Sequence, residues 1–277
     1  MIPIFDSVKG AGALLGLGDL IAQPTASYSL RYLSIGYYGQ PVVKVRKDIV
    51  GNPTQDFTPS QLTGGELSTF ADGNDCYVST WYDQSGNGYH ASQGAAASQP
   101  KIWDAITGLV TEGGRPALDF DGVDDNLATT GYIVELSAND ASVFAVISAI
   151  NSKYILAEGD SVSPYSSNFI FGDANGVSVI WVNTTQFGTT ITGHSLVGFI
   201  YDGTNFQAYQ DGLADGASGT ATVNAEVFNQ SVIGARADGT TSFYTGKIQE
   251  LITYKSDQSA NRTDIENNIN AYYDIYP

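Results

Sequence analysis

Residues 76–93, CYVSTWYDQSGNGYHASQ, decide how the rest of the chain is interpreted. Residues 77–82 are almost all β-branched or aromatic, which predicts a buried strand. The next six, from Asp83 to Gly88, form a dense turn signal. Asp and Asn side chains bond to nearby backbone and glycine accepts a positive φ, so we expect a loop of fixed shape. In that loop the Asp83 carboxylate should accept backbone N–H groups.

The same design recurs along the chain. Residues 114–127, GRPALDFDGVDDNL, read as a short apolar strand followed by an acidic turn that contains glycine. Residues 142–150, SVFAVISAI, are nearly all apolar and predict a central core strand. Asp-Gly pairs at 202–203 and 211–212 bracket an apolar segment, as in consecutive hairpins. Such spacing predicts an all-β fold, an antiparallel β-sandwich or jelly roll.

One clear helix is predicted at the C-terminal end. Ile265, Ile269, Tyr272 and Tyr273 are spaced i, i+4, i+7 and i+8, which places them on one face of a helix. Asp257 or Ser259 is the expected N-cap. We expect this helix to pack across one edge of the sandwich.

The length of 277 residues fits one sandwich with short extensions. We assign residues 26–277 to the domain and residues 1–25 to an apolar N-terminal arm that ends near Pro24. The arm should dock on the domain or on a partner protein. Its short apolar run, interrupted by Asp19, does not resemble a signal peptide. No stretch approaches the ~20 apolar residues of a membrane span, so no membrane insertion is expected.

The charge balance constrains the partners. Twelve basic and 29 acidic residues give a net charge of −17, which repels the phosphate backbone and predicts no nucleic-acid binding. The single cysteine, Cys76, excludes an internal disulfide framework and predicts a small buried side chain. No cofactor is required by any motif, and no zinc or phosphate-binding pattern is present.

Calcium is the one ion that the sequence suggests. Asp121, Asp124 and Asp125 offer hard oxygen ligands at short spacing, which suits Ca²⁺. A turn held by its own hydrogen bonds is the alternative, and the missing complete loop signature favours it.

Two resemblances bear on function. WYDQSGNGYHASQ, at 81–93, together with residues 28–47, resembles the catalytic domain of the family 54 α-L-arabinofuranosidases. Residues 114–127, 199–212 and 246–273 resemble laminin-G-like domains of the concanavalin A-like lectin/glucanase superfamily, which are frequent in bacteriophage structural proteins. Together the resemblances cover about residues 26–275. They imply a concanavalin A-like sandwich.

The arabinofuranosidase resemblance also implies where catalytic residues would lie. A retaining glycosidase uses two carboxylates. The family's acid/base aspartate matches Asp238, but its nucleophilic glutamate matches Ser167, beside Asn168. With one carboxylate missing, Asp238 is expected to be a relic and the chain is expected not to be an enzyme. A gap in the match would instead place Glu158 or Asp173 at that position.

Other chemistry has little support in the sequence. His90 and His194 are the only histidines, and no Gly-x-Ser-x-Gly elbow is present. The candidates for ligand binding are Asp83, Trp181, Asn183 and Asp238. Trp181 is expected to face outward from an alternating strand, and Asp83 is expected to shape its loop first and bind ligand second.

These observations predict a non-enzymatic surface protein of a bacteriophage virion, either a head decoration or fibre or a tail adhesin, with a lectin-like sandwich for host glycan. Its partners would be capsid or tail proteins, a host surface glycan and further copies of itself. The alternative is a glycoside hydrolase of the α-L-arabinofuranosidase type. A third hypothesis is a secreted or cell-surface glycan-binding module.

Overall fold

The computed structural model describes residues 23–136, 140–149, 153–159, 167–172, 180–182, 185–189, 191, 193–223 and 230–277. The predicted arm, residues 1–25, therefore lies almost entirely outside the described residues. Its last residue, Thr25, precedes β1 and is hydrogen-bonded to β21, since its N–H donates to the carbonyl of Thr253 at 2.7 Å. Among the described residues, no helix is long and apolar enough to cross a membrane.

Twenty-one strands and three α-helices make up the described fold. The strands of the N-terminal half are β1 Ala26–Ser29, β2 Val43–Lys47, β3 Thr54–Phe57, β4 Cys76–Trp81, β5 Ala91–Ser92, β6 Lys101–Asp104, β7 Gly108–Leu109, β8 Thr111–Glu112, β9 Arg115–Pro116, β10 Leu118–Asp121 and β11 Leu127–Ala128. Those of the C-terminal half are β12 Ala141–Ala149, β13 Tyr154–Gly159, β14 Ser167–Gly172, β15 Ile180–Val182, β16 Thr185–Phe187, β17 Gly193–Tyr201, β18 Phe206–Gln210, β19 Leu213–Gly219, β20 Gln230–Ile233 and β21 Thr245–Tyr254. The helices are α1 Pro59–Thr63, α2 Glu66–Ala71 and α3 Arg262–Tyr273.

Every pairing between the described strands is antiparallel, which confirms the predicted all-β class. One sheet runs in the order β3-β2-β4-β6-β10-β21-β12-β17-β18-β19. A second runs β5-β11-β20-β13-β14-β15-β16 and joins the first where β5 pairs with β4. The inward residues of both sheets form one apolar cluster, so the two sheets are the layers of a sandwich.

The central strand β12 shows why the sequence 142–150 is apolar without alternation. Val143, Ala145 and Ile147 point into the sandwich core. Phe144 and Val146 point the opposite way, into a second apolar cluster that includes residues of α3. Both faces of this strand are therefore covered, and an alternating polar pattern would bury polar groups.

Two predictions about the C-terminal helix were wrong in detail. The helix packs over the face of β12, β17 and β21 rather than across an edge, because Ile265 and Ile269 fit the apolar surface that those strands present. Its N-cap is Asn261, which follows the predicted caps Asp257 and Ser259 by four and two residues. The Asp257 carboxylate instead accepts the N–H of Ser259 at 2.8 Å, which closes a turn before the helix.

The segment 28–37 is mostly extended. Tyr28 and Ser29 end β1, which pairs with β21, and only Ile35–Tyr37 form a 3₁₀ turn. Helices α1 and α2 follow one another on either side of Gly64 and Gly65. The side chain of Cys76 is buried and free, as expected of a small core residue.

Candidate functional site

The Asp83 carboxylate lies buried beneath the loop that follows β4, with only 1% of the residue exposed. Its Oδ1 accepts the N–H groups of Ser27 at 2.9 Å and of Ser85 at 2.8 Å. Its Oδ2 accepts the Ser85 hydroxyl at 2.7 Å and the N–H of Tyr89 at 3.1 Å. The predicted loop-forming role of Asp83 is confirmed. A ligand would reach this carboxylate only by displacing the backbone, so the geometry gives no support to its second, ligand-binding role.

The rest of the loop, Gly86 to Gly88, is hydrogen-bonded to the residues that precede β1. Gly86 and Gly88 have φ values of +88° and +80°, as the turn signal predicts. The reversal directs the Asn87 amide to the carbonyls of Pro24 at 3.2 Å and Thr25 at 2.9 Å. The DQSGNG motif therefore fixes the start of β1 by hydrogen bonds.

Gln84 forms hydrogen bonds with the backbone at the other end of β1. Its amide donates to the carbonyls of Ser29 at 3.0 Å and Arg31 at 2.9 Å, and its Oε1 accepts the N–H of Leu33 at 3.0 Å. Both N–H donors and the oxygen of the side-chain amide thus bind the backbone of residues 29–33. The most distinctive motif in the sequence is structural.

Asp238, the residue that matches the family's acid/base, is held in an ion pair. Its side chain is 1% exposed and accepts from Nε of Arg236 at 3.0 Å, from Nη2 of Arg236, and from the N–H of Thr240 at 2.9 Å. Burial raises the pKa of Asp238, but the Arg236 and backbone hydrogen bonds outweigh it and hold the pKa below its ordinary value. A carboxyl with a lowered pKa is a poor general acid at neutral pH.

The position that matches the nucleophile, Ser167, is the first residue of β14. Its backbone lies opposite Gly159 of β13. The neighbouring side chain of Asn168 and the alternative Asp173 lie outside the described residues, so nothing here tests them.

The other alternative nucleophile, Glu158, is 1% exposed and fully engaged. Its Oε1 accepts the N–H groups of Ile133 at 2.9 Å and Val134 at 2.7 Å, together with the Ser231 hydroxyl at 2.6 Å. Its Oε2 accepts the N–H of Glu135 at 2.8 Å. This carboxylate organises the chain before β12, and the contacts leave no approach for a sugar carbon.

Trp181 lies on β15, with its backbone opposite Ile170 and Gln186. The predicted outward direction of its side chain falls outside the described residues, as does Asn183 altogether. Both stay predictions.

The three acids proposed for calcium do come together. Carboxylate oxygens of Asp121, Asp124 and Asp125 lie within 4.8 Å of one another, a spacing that one ion could bridge. The turn also supports itself: Asp121 Oδ1 accepts the N–H of Val123 at 2.7 Å, and Asp125 Oδ2 accepts the N–H of Asp121 at 2.9 Å. Calcium would need at least three further oxygen ligands here.

Beside this turn lies a groove of about 1020 Å³ on the outer face of β2, β4, β6, β10 and β21. It is lined by charged side chains of both signs around one tyrosine. Those residues are Arg46, Asp48, Asn52, Tyr77, Lys101, Asp104, Asp119, Asp121, Asp125 and Lys247. Neither Asp83 nor Asp238 lines it.

Two carboxyl groups in the groove, those of Asp125 and Asp119, have raised pKa values. Desolvation raises the pKa of Asp125 to about 7, although the backbone N–H of Asp121 works against the shift. Desolvation also raises the pKa of Asp119, with Lys247 and Lys101 opposing it. Raised carboxyl pKa values in a concave site are typical of functional positions, although structural networks produce them too.

Sequence reasoning missed the centre of this groove. In LDFD, at 118–121, Leu118 and Phe120 are buried, so Asp119 and Asp121 must face outward from β10. The sequence alone could have predicted this outward direction. The partners Lys101 and Tyr77 were not predictable, because only the pairing of β10 with β6 and of β6 with β4 brings them alongside.

No model of a known protein family matches the chain, and no similar sequence was found among curated proteins. Solved structures with a similar fold include a GH54 α-L-arabinofuranosidase soaked with a cyclic sulfate inhibitor (TM-score 0.64, 15% identity, 89% of this chain and 62% of that chain). Another is an arabinofuranosidase complexed with arabinofuranosyl-α-1,2-xylobiose (TM-score 0.59, 16% identity, with the same coverage of 89% and 62%). A Trypanosoma rangeli sialidase in complex with sialic acid is more distant (TM-score 0.48, 11% identity, 70% and 31%).

These comparisons define the class of fold. The chain is an antiparallel β-sandwich similar to the structures of arabinofuranosidases, and it spans 62% of the length of the arabinofuranosidase chains it matches. At such low identity the likeness concerns the fold alone.

Proposed function

We propose that the chain is a non-enzymatic, glycan-binding surface protein of a bacteriophage virion, as a head decoration or fibre or as a tail adhesin. Its partners would be capsid or tail proteins, further copies of itself and a glycan on the host surface. The virion part of the proposal comes from the sequence resemblance of residues 114–127, 199–212 and 246–273. The glycan part rests on the groove.

The groove is the observation that carries glycan binding. It is large enough for two or more sugar rings, since ligand pockets typically measure about 300–1,000 Å³. Carboxylates, an amide and a tyrosine line it, and these groups exchange hydrogen bonds with sugar hydroxyls. The similar fold of the arabinofuranosidase structures is consistent with a carbohydrate ligand.

The absence of catalysis is supported by Asp238. Its ion pair with Arg236 and its lowered pKa suit a structural residue better than a proton donor. A serine at the position that matches the nucleophile supports the same reading.

A glycan array followed by calorimetry tests binding, and aryl-arabinofuranoside turnover tests catalysis. We expect saturable binding to at least one saccharide, weakened at least tenfold by Asp119→Asn and unchanged by Asp264→Asn, which alters an exposed acid on α3 far along the chain. Hydrolysis should not exceed background. Turnover that Asp238→Asn abolishes would establish the alternative, a glycoside hydrolase of the α-L-arabinofuranosidase type.

The virion role needs a separate test. Mass spectrometry of particles purified from the natural source should find this chain at a fixed copy number. Its presence only in the culture medium or on cells would favour the secreted or cell-surface module instead.

A further inference from the structure

The cationic side chains of the groove are already occupied by acceptors of the protein itself. Arg46, Lys101 and Lys247 each bind at least two acceptors within hydrogen-bond distance. The acceptors are Asp48, Asn52, Gln99 and the Ala96 carbonyl for Arg46, Asp75 and Asp104 for Lys101, and Glu112 and the Thr111 carbonyl for Lys247. An anionic ligand would have to break these pairs to gain a partner.

Three acidic side chains of the groove, in contrast, have carboxylate oxygens to which no described residue donates a hydrogen bond. Within the described part of the chain, no group donates a hydrogen bond to either oxygen of Asp119, which is half-buried. Asp125 is 4% exposed and accepts one N–H, at Oδ2, while its Oδ1 receives none from the described residues. Oδ2 of Asp121 is likewise unused by them. The groove therefore presents free acceptors and few free donors.

This imbalance selects the charge of the ligand. A partly desolvated carboxylate without a hydrogen-bond donor is costly. A ligand N–H⁺ group would offset that cost with a charge-assisted hydrogen bond. Lys247 and Lys101 lie opposite Asp119 on the neighbouring strands, but Asp75, Asp104 and Glu112 already pair with their ammonium groups. The net charge of −17 adds a field that attracts cations and repels anions.

Three turns that border the groove each carry an exposed apolar side chain. Val50, Ile106 and Val123 are 102%, 94% and 69% exposed. Each sits at the tip of a turn whose flanking residues line the groove: residues 48 and 52, residues 104 and 107, and residues 121 and 125. Three exposed β-branched side chains around one polar groove can pack on the C–H faces of a ligand whose polar groups point inward.

We propose that this groove binds a saccharide that carries a free amino group, with the ammonium on Asp119, hydroxyls on Asp121 and Asp125, and ring faces against the three exposed apolar side chains. This assignment rests on the proposed glycan binding and names its ligand class.

Calorimetry at pH 6 with three tetrasaccharides tests it: β-1,4-linked glucosamine, its fully N-acetylated form, and an oligogalacturonate. We expect the amine-bearing tetramer to bind at least tenfold more tightly than the N-acetylated one and to weaken as salt is added, and the acid tetramer not to bind. Asp119→Asn should remove that preference, while Asp264→Asn should keep it. Val50→Lys, at a fully exposed turn position that folding does not need, should also weaken the amine-bearing tetramer.

Equal affinity for the amine-bearing and N-acetylated tetramers would overturn the inference and leave glycan binding intact. Failure of every saccharide, in the tetramer set and on the array, would overturn both. A short lysine peptide is a further probe. If it binds as tightly as the amine-bearing tetramer, the groove recognises only positive charge, and the saccharide assignment is overturned.

Discussion

The guanidinium of Arg31 and the carboxylate of Glu250 form a two-pronged ion pair beneath the C-terminal helix, with Nε–Oε2 at 2.8 Å and Nη2–Oε1 at 2.9 Å. The side chains are 6% and 0% exposed. Glu250 also accepts the hydroxyls of Ser29 at 2.8 Å and Tyr273 at 3.1 Å. Burial by itself would lower the pKa of Arg31, but the charge of Glu250 outweighs burial and raises it. This pair joins the segment after β1, strand β21 and helix α3.

Removing one member of the pair should be costly, because the other charge is left buried. We expect Glu250→Gln to lower the free energy of unfolding by about 3–5 kcal/mol in urea denaturation. The partly exposed pair Lys255–Glu135 is the control, and Lys255→Gln should cost at most about 1 kcal/mol. Equal costs for the two variants would show that the buried pair has no special role.

Two buried tyrosines near α3 differ in their hydroxyl groups. The hydroxyl of Tyr254 has no hydrogen-bond partner among the described residues, whereas that of Tyr273 contacts Glu250 at 3.1 Å and the Gln249 carbonyl at 3.3 Å. Tyr254→Phe should therefore leave stability unchanged or raise it by about 1 kcal/mol, and Tyr273→Phe should lower it by about 1–3 kcal/mol. Thermal unfolding of both variants measures the contrast. A loss at Tyr254→Phe would reveal a partner for that hydroxyl.

The pH dependence of stability should carry a contribution from Glu266. Desolvation raises its pKa from 4.5 to about 7, although Arg262 pairs with it and opposes the shift. A carboxyl whose folded-state pKa is raised stabilises the fold most below its unfolded pKa, and that stability is lost as pH rises from about 4.5 through 7. Glu266→Gln should therefore lose less stability than the natural protein between pH 4.5 and 8. The stability of Asp264→Asn, at an exposed acid on the same helix, should change with pH as that of the natural protein does. If Glu266→Gln showed this same pH dependence, the pKa of Glu266 in the folded protein would be ordinary.

The sequence predicted the fold class because strand periodicity and turn chemistry are local. The apolar run 142–150 predicted a buried strand, and the spacing of Ile265 and Ile269 predicted a helix. The sequence did not show that this helix packs over the face of β12, β17 and β21. That arrangement depends on Phe144 and Val146 pointing away from the core, and a run that is apolar throughout does not say what covers each side.

The candidate site was less predictable for the same reason. Asp83 was correctly predicted as loop-forming, since its partner Ser85 is two residues away and Asx turns are local. The groove brings Asp119 beside Lys101 and Tyr77 through strand pairings between residues distant in sequence. Single residues outside those pairings, such as Asp238, were found only through a family resemblance.

The last prediction concerns the loop that follows β4. Asp83 Oδ1 and Oδ2 together accept hydrogen bonds from four donors, and three of these are backbone N–H groups. Asp83→Ala should therefore lower the free energy of unfolding by about 1–3 kcal/mol, the cost of leaving buried donors unpaired. Gly88→Val should also destabilise, although its Cβ would meet no atom within 4 Å, because a β-branched residue is strained at a φ of +80°. Asp264→Ala, at an exposed acid, is the control for a lost charge. Glycan affinity, measured well below the melting temperature of each variant, should stay unchanged in all three, since the loop lies outside the groove. Full stability of Asp83→Ala combined with a selective loss of glycan affinity would mean that the loop itself is the binding site.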